Sequence, residues 1–148
     1  MKKRLTIIQM DVHVNDVEYN YTRVQELLSQ SLSENPDIIV LPETWNTGFY
    51  PSKELINIAD RNGERTKSLL STFAKEHNVN IVGGSVAVAK NDVVFNTSYA
   101  YNREGTLVGE YSKMHGFSPA KEDQYFAGGT HTTHFELDGI PCSTVICY

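Results

Sequence analysis

Asp37-Ile38-Ile39-Val40-Leu41, closed by Pro42-Glu43, is the run from which the rest of the chain is read. It is short, almost wholly apolar and rich in β-branched residues, as a strand is. Asn35-Pro36 stands immediately before it. A residue that precedes proline is steered out of helical space, so a helix arriving from upstream must stop there. Such a helix is written upstream: Val17, Tyr21, Val24, Leu27, Leu28 and Leu32 recur at helical spacing. Asn15 or Asp16 is placed to cap it. Earlier still, Arg4 to Met10 reads as a buried strand. Strand, helix, strand predicts a crossover unit with parallel strands, and so an α/β domain.

Downstream, Pro42 to Pro51 holds proline, glycine and aromatics and reads as a loop. Glu64 to Asn78 reads as a second helix that buries Leu69, Leu70, Phe73 and Ala74. Asn80 to Ala89 reads as a third strand containing Gly83-Gly84. Those glycines point to close backbone packing; without a helix-opening glycine fingerprint after them, they do not point to nucleotide binding. Val93 to Tyr101 and Thr106 to Tyr111 flank Asn102-Arg103-Glu104-Gly105, a hairpin signal. Lys113 to His131 is a long polar, glycine-containing connection, and such a loop in a compact domain is either functional or disordered. Phe135 to Leu137 and Ile140 to Cys147 predict a last hairpin about Asp138-Gly139. The earlier rhythm predicts a helix after that strand, and the chain ends instead, so the domain reads as cut off.

Length and charge narrow the function. The 148 residues suit one domain, and 40% apolar residues with mixed charge fit a globular protein. A net charge of −5 without a basic run argues against nucleic acid as a partner. No apolar stretch approaches the roughly 20 residues of a membrane helix, so a cytoplasmic protein without membrane partners is expected. Cys142 and Cys147 are five apart on one predicted strand and so face opposite sides, which predicts no disulfide; Cys142 reads as core. His131 and His134 lack a third ligand, and no metal site is expected.

Three chemically useful residues fall at or just after apolar strands: Glu43, Lys113 and Cys147. Ligand sites in open α/β folds collect at the carboxyl ends of strands. A carboxylate, a cation and a thiol brought together there suit attack on an amide or nitrile: the carboxylate deprotonates the thiol, and the cation lowers the thiol's pKa and holds the developing oxyanion. Trp45, Phe49 and Tyr50 follow Glu43 and either line the pocket or cover the core or a dimer contact.

Leu41-Pro42-Glu43, Tyr111-Ser112-Lys113-Met114-His115 and Val145-Ile146-Cys147-Tyr148 resemble the three catalytic blocks of the nitrilase, or carbon–nitrogen hydrolase, superfamily, in the family's order. The resemblance spans essentially residues 1–148. It implies a four-layer α-β-β-α sandwich built from two halves, of which this chain is the N-terminal part and incomplete. It implies Glu43 as general base, Cys147 as nucleophile, and Lys113 with the backbone N–H of Tyr148 as oxyanion holders. The family's second glutamate falls on Glu122, with Asp123 as the adjacent alternative; Phe49 and Tyr50 are expected at the substrate. Gly116 stands where relatives carry a bulky residue. The Glu43 loop and Glu122–Gly129 look most like the ω-amidase-like branch. That implies small ω-amides of dicarboxylic acids, such as 2-oxoglutaramate, no cofactor, and a homodimer. Two other readings stay open: a truncated, inactive fragment of such a hydrolase, and a half-domain that pairs with a partner through its exposed edge.

Overall fold

A computed structural model describes residues 2–147. The predicted crossover is present. β1 (Leu5–Ile7) leads to α1 (Val17–Ser31) and back to β2 (Ile38–Val40). The strands run parallel, with Leu5 beside Ile38 and Ile7 beside Val40. Of the two possible caps Asp16 is used: its carboxylate accepts from Tyr19 N–H at 3.1 Å. A short 3₁₀ turn and Asn35 in the left-handed region end the helix before Pro36. One expectation fails here. β1 is an edge strand and not a buried one: Leu5 and Ile7 point to one face and Ile7 is 70% exposed. Apolar composition fixes which residues avoid water, but an edge position leaves them open unless another layer covers that face.

The segment after β2 is a loop, as expected, yet Thr44 to Gly48 are buried. Buried loop backbone must be paired, and here side chains imitate a strand. Asn46 donates from Nδ2 to Ala87 O and accepts from Ala87 N–H at Oδ1, at 3.1 and 2.8 Å. Trp45 donates from Nε1 to Gly83 O at 3.0 Å and packs edge-on against Tyr21 in the core. α2 (Leu55–Ile58), β3 (Asp60–Arg61) and α3 (Glu64–His77) follow. α1 and α3 cover one sheet face with Tyr21, Val24, Leu28, Leu70, Phe73 and Ala74.

The predicted third strand is broken in two, β4 (Asn80–Val82) and β5 (Val86–Lys90). Both pair antiparallel with the same neighbour, β6 (Val93–Tyr101). Val82 faces Ala100 and Val86 faces Thr97, so four steps on one strand match three on the other. That extra residue is a bulge, and Gly83-Gly84-Ser85 forms it. β7 (Leu107–Ser112) closes the other side of β6, giving a seven-stranded sheet ordered β1-β2-β4-β6-β5-β3 with β7 beside β6. β8 (His134–Leu137) and β9 (Ile140–Ser143) make a separate hairpin. β9 stops at Ser143 and does not reach Cys147 as expected. Cys142 is half-buried and not core; on the paired strand of this hairpin it is Leu137 that is buried.

Charged side chains fasten that hairpin to the sheet. Asp138, in its turn, accepts from Arg103 Nε and Nη2 at 2.8 and 2.7 Å and from Lys3 Nζ at 2.7 Å. Arg103 also reaches Asp37 at 2.8 Å, at the entrance to β2. The Arg103 bond holds the Asp138 carboxyl far below its usual range; burial opposes this and Lys3 assists. A depressed carboxyl stabilises the fold above its ordinary value and loses that effect as pH falls toward the folded value. Asp138→Asn should therefore cost about 1 kcal/mol near neutrality, the upper range for partly exposed pairs. Urea midpoints of the two proteins should differ steadily from pH 5 to 8 and converge below about pH 4; a difference that persists undiminished into acid contradicts this.

Candidate active site

Glu43 stands just past β2, where Leu41 N–H still bonds Val82 O at 3.0 Å. Its loop is braced by the bulge: Ser85 N–H donates to Pro42 O at 3.0 Å, and Ser85 Oγ accepts from Thr44 N–H at 3.0 Å. Gly84, at φ +58°, passes so close that a Cβ there would lie 1.9 Å from Pro42 O. Lys113 follows β7 directly; its N–H donates to Asn96 O at 2.8 Å, and its carbonyl accepts from Gly129 N–H at 2.9 Å. Glu122 sits on a 3₁₀ turn, Glu122–Gln124, reached through Lys121 in the left-handed region. Its Oε2 accepts from Phe117 N–H at 2.6 Å.

Tertiary structure brings these three together. Lys113 Nζ lies 2.9 Å from Glu43 Oε1 and 2.8 Å from Glu122 Oε2. Lys113 is 4% exposed, Glu122 1% and Glu43 25%. Asp123, the alternative to Glu122, is exposed. Burial works against charge on Lys113, but the hydrogen bonds to Glu122 and Glu43 outweigh it and hold its pKa above the ordinary value. The lysine is thus a fixed cation shared by two carboxylates, and Glu43 is the more solvent-open of them.

Cys147 is exposed and lines a cavity of about 190 Å³ with Glu43, Val40, Val82, Gly84 and Ser85. The thiol and the carboxylate therefore share one hollow on the sheet face opposite α1 and α3. Phe49 stacks edge-on with Tyr50, ring centres 5.4 Å apart, and tilts toward Phe117 at 6.3 Å. Neither Phe49 nor Tyr50 is a wall of that cavity, while Trp45 belongs to the core. Tyr148 lies outside the described residues. A larger groove of about 500 Å³, between α1 and β3, shares no residue with this site, and its Arg65 is held by Glu18 at 2.5 and 2.9 Å. Sequence reasoning missed Asn96, which donates from Nδ2 to Glu43 Oε1 at 2.9 Å. A polar amide in the middle of a strand of good β-formers was the signal that could have found it. It also missed Ser85. The arrangement, a thiol and a carboxylate over a cavity with a buried lysine at the carboxylate's back, suits acyl transfer.

The family model for carbon–nitrogen hydrolases matches residues 4–148. A 2-oxoglutaramate amidase of Bacillus subtilis is 38% identical over 148 residues, covering 100% of this chain and 56% of the relative. A hydrolase in the agr operon of Staphylococcus aureus is 31% identical over 98% of this chain and 56% of its own length. Among solved structures, a CN-hydrolase superfamily protein of Xanthomonas campestris superposes with TM-score 0.86 at 28% identity, over 99% of this chain and 53% of that one. An amidase from Nesterenkonia sp. shares the fold at TM-score 0.84 and 18% identity, over 99% of this chain and 56% of that one. The chain spans about half the length of the curated relatives it matches. Among the described residues no helix is long and apolar enough to cross a membrane.

Proposed function

The chain belongs to the carbon–nitrogen hydrolase family, and from that premise we propose that it carries the Glu–Lys–Cys centre of an amidase acting on ω-amides of small dicarboxylic acids. The observation that carries this reading is Lys113 Nζ clasped between Glu43 and Glu122 at 2.9 and 2.8 Å, with Glu43 and Cys147 on one cavity.

Glu43 takes the proton of Cys147, and the thiolate attacks the amide carbonyl carbon. Lys113, already charged and desolvated, holds the oxyanion with the backbone N–H of Tyr148. When the tetrahedral intermediate collapses, the C–N bond breaks and Glu43 returns its proton to the leaving ammonia. Glu43 then activates a water that hydrolyses the thioester, releasing the acid and the thiol. Glu122 holds Lys113 in place. Phe49 and Tyr50 stand on the Glu43 loop as substrate contacts in this reading. The ω-amide preference is supported by the relative named 2-oxoglutaramate amidase. An oxidation-sensitive thiol at Cys147 supports a cytoplasmic setting, and the family resemblance supports a homodimer.

Ammonia release from 2-oxoglutaramate, with a nitrile as comparison, tests this. Cys147→Ala should abolish it, and Cys147→Ser should leave a small fraction; turnover that survives Cys147→Ala would end the proposal. A second reading, that these 148 residues alone do not turn over, is favoured by Leu5, Ile7 and Val145, exposed at 55%, 70% and 77%. Ile7 stands beside Val40, a wall of the Cys147 cavity. Joining the chain to the unmatched portion of the Bacillus subtilis amidase decides between the readings: if only the joined protein releases ammonia, the second holds.

A further inference from the structure

Asn96 sits against its own local preference. It lies inside β6, between Phe95 and Thr97, and asparagine is depleted in strands. It is 1% exposed, and its Oδ1 is among the buried atoms that find no hydrogen-bond partner. That is a cost a valine or threonine at this position would not carry. What the asparagine side chain contributes instead is a hydrogen bond into the candidate active site, beside a backbone bond that any residue here would make. Its Nδ2 donates to Glu43 Oε1 at 2.9 Å. Its carbonyl accepts from Lys113 N–H at 2.8 Å. The amide orientation follows from chemistry, because the flipped amide would set an oxygen against a carboxylate oxygen.

We propose that Asn96 is a positioning residue for the amide hydrolysis, setting which oxygen of Glu43 acts as base; this rests on the Glu–Lys–Cys reading above. Two donors, Asn96 Nδ2 and Lys113 Nζ, converge on Oε1 at 2.9 Å each. They come from adjacent strands, β6 and the end of β7, so together they fix the carboxylate plane. Oε2 is then the oxygen that takes the thiol proton. With Lys113 alone on Oε1, a single flexible side chain would hold the carboxylate, and its plane could turn. Asn96 also ties the two catalytic groups to each other, one through its side chain and one through its backbone. Placement of this kind is where small displacements cost large factors in rate. Residues that break a local rule at such a point are where function is expected to override fold preference.

The test uses the chain, or the joined protein described above where the chain alone does not turn over. Asn96→Ala should lower kcat about 10- to 100-fold with KM within about twofold, because positioning acts on the chemical step and not on substrate binding. Asn96→Asp, an isostere without the donor, should lower kcat at least as far. On the chain itself, iodoacetamide should alkylate Cys147 about 10-fold more slowly in both variants, read by peptide mass at Cys147 separately from Cys142. Thermal melts run alongside; where Asn96→Ala fails to fold, the isostere decides. A folded variant with wild-type kcat and alkylation rate overturns the proposal, and so does a loss carried wholly by KM. Glu43→Gln and Cys147→Ala separate the levels. If these two retain turnover, the Glu–Lys–Cys reading has failed; if they lose it while Asn96 variants keep it, only the positioning role has.

Discussion

Lys113→Met is expected to destabilise the protein by about 3 kcal/mol and to abolish the proposed amide hydrolysis. Lys113 Nζ is the cation between Glu43 and Glu122, and Glu122 is 1% exposed. Removing one member of a buried ion cluster leaves the others uncompensated, which costs about 3–5 kcal/mol; the low end applies because Glu43 keeps 25% of its side chain exposed. The pH dependence has a definite sign. In the wild type, the raised pKa of Lys113 adds stability at every pH below the ordinary lysine value, lost only as pH climbs through the folded value. In Lys113→Met two carboxylates face each other without a cation, so one of them holds its proton more tightly. The variant's deficit should therefore be small near pH 4 and grow toward pH 7. Urea unfolding across that range checks this, and a deficit that is constant with pH would show that the lysine is not the charge that balances the pair.

Gly84→Ala is expected to cost about 2–4 kcal/mol and to lower turnover at least about 100-fold, although Gly84 bears no chemistry. Two causes add. At φ +58° an alanine is strained by its own backbone. Its Cβ would also meet Pro42 O at 1.9 Å and Leu41 O at 2.5 Å, both backbone atoms that cannot swing aside. The relief available is for the Leu41–Pro42 segment to retreat, and Glu43 is the next residue. Gly83→Ala meets mainly a flexible neighbour, Leu70 Cδ1 at 2.5 Å, with Tyr99 O at 2.9 Å, and should cost activity less. Denaturant midpoints and kcat of the two variants provide the comparison. Equal losses of kcat would show that the Pro42 contact does not govern Glu43.

The two long helices, α1 and α3, were legible because each buries one stripe, and a stripe leaves a period; the four-residue α2 is too short to leave one. Tyr21, Val24 and Leu28, then Leu70, Phe73 and Ala74, were read from spacing and are core. The β6–β7 hairpin was legible from its turn residues. Glu43, Lys113, Glu122 and Cys147 were named from their blocks, and the structure sets the first three within hydrogen-bond reach and the fourth on the same cavity as Glu43. Asn96 was legible only as an oddity, an amide among β-formers; its partner lies 53 residues away, and no local pattern names a carboxylate across the sheet. Cys142 misled because a half-buried cysteine and a core cysteine look alike in a run of apolar neighbours.

The sequence by itself determined the order of the two long helices and the main strands, the crossover about Pro36 and which residues are candidates for the chemistry. These rest on backbone preference, periodicity and short motifs, which act over a few residues. The tertiary structure alone decided the rest: that β1 lies at an edge with Leu5 and Ile7 open, that the third strand breaks at Gly83–Ser85, and that Thr44 to Gly48 of the loop are buried. It also decided that Lys113 rests between two carboxylates drawn from either side of it in sequence. The reason is physical. Hydrophobic patterning says which face of an element avoids water but not which neighbour covers it. A hydrogen bond or ion pair over long separation exists only once the sheet has brought its ends together.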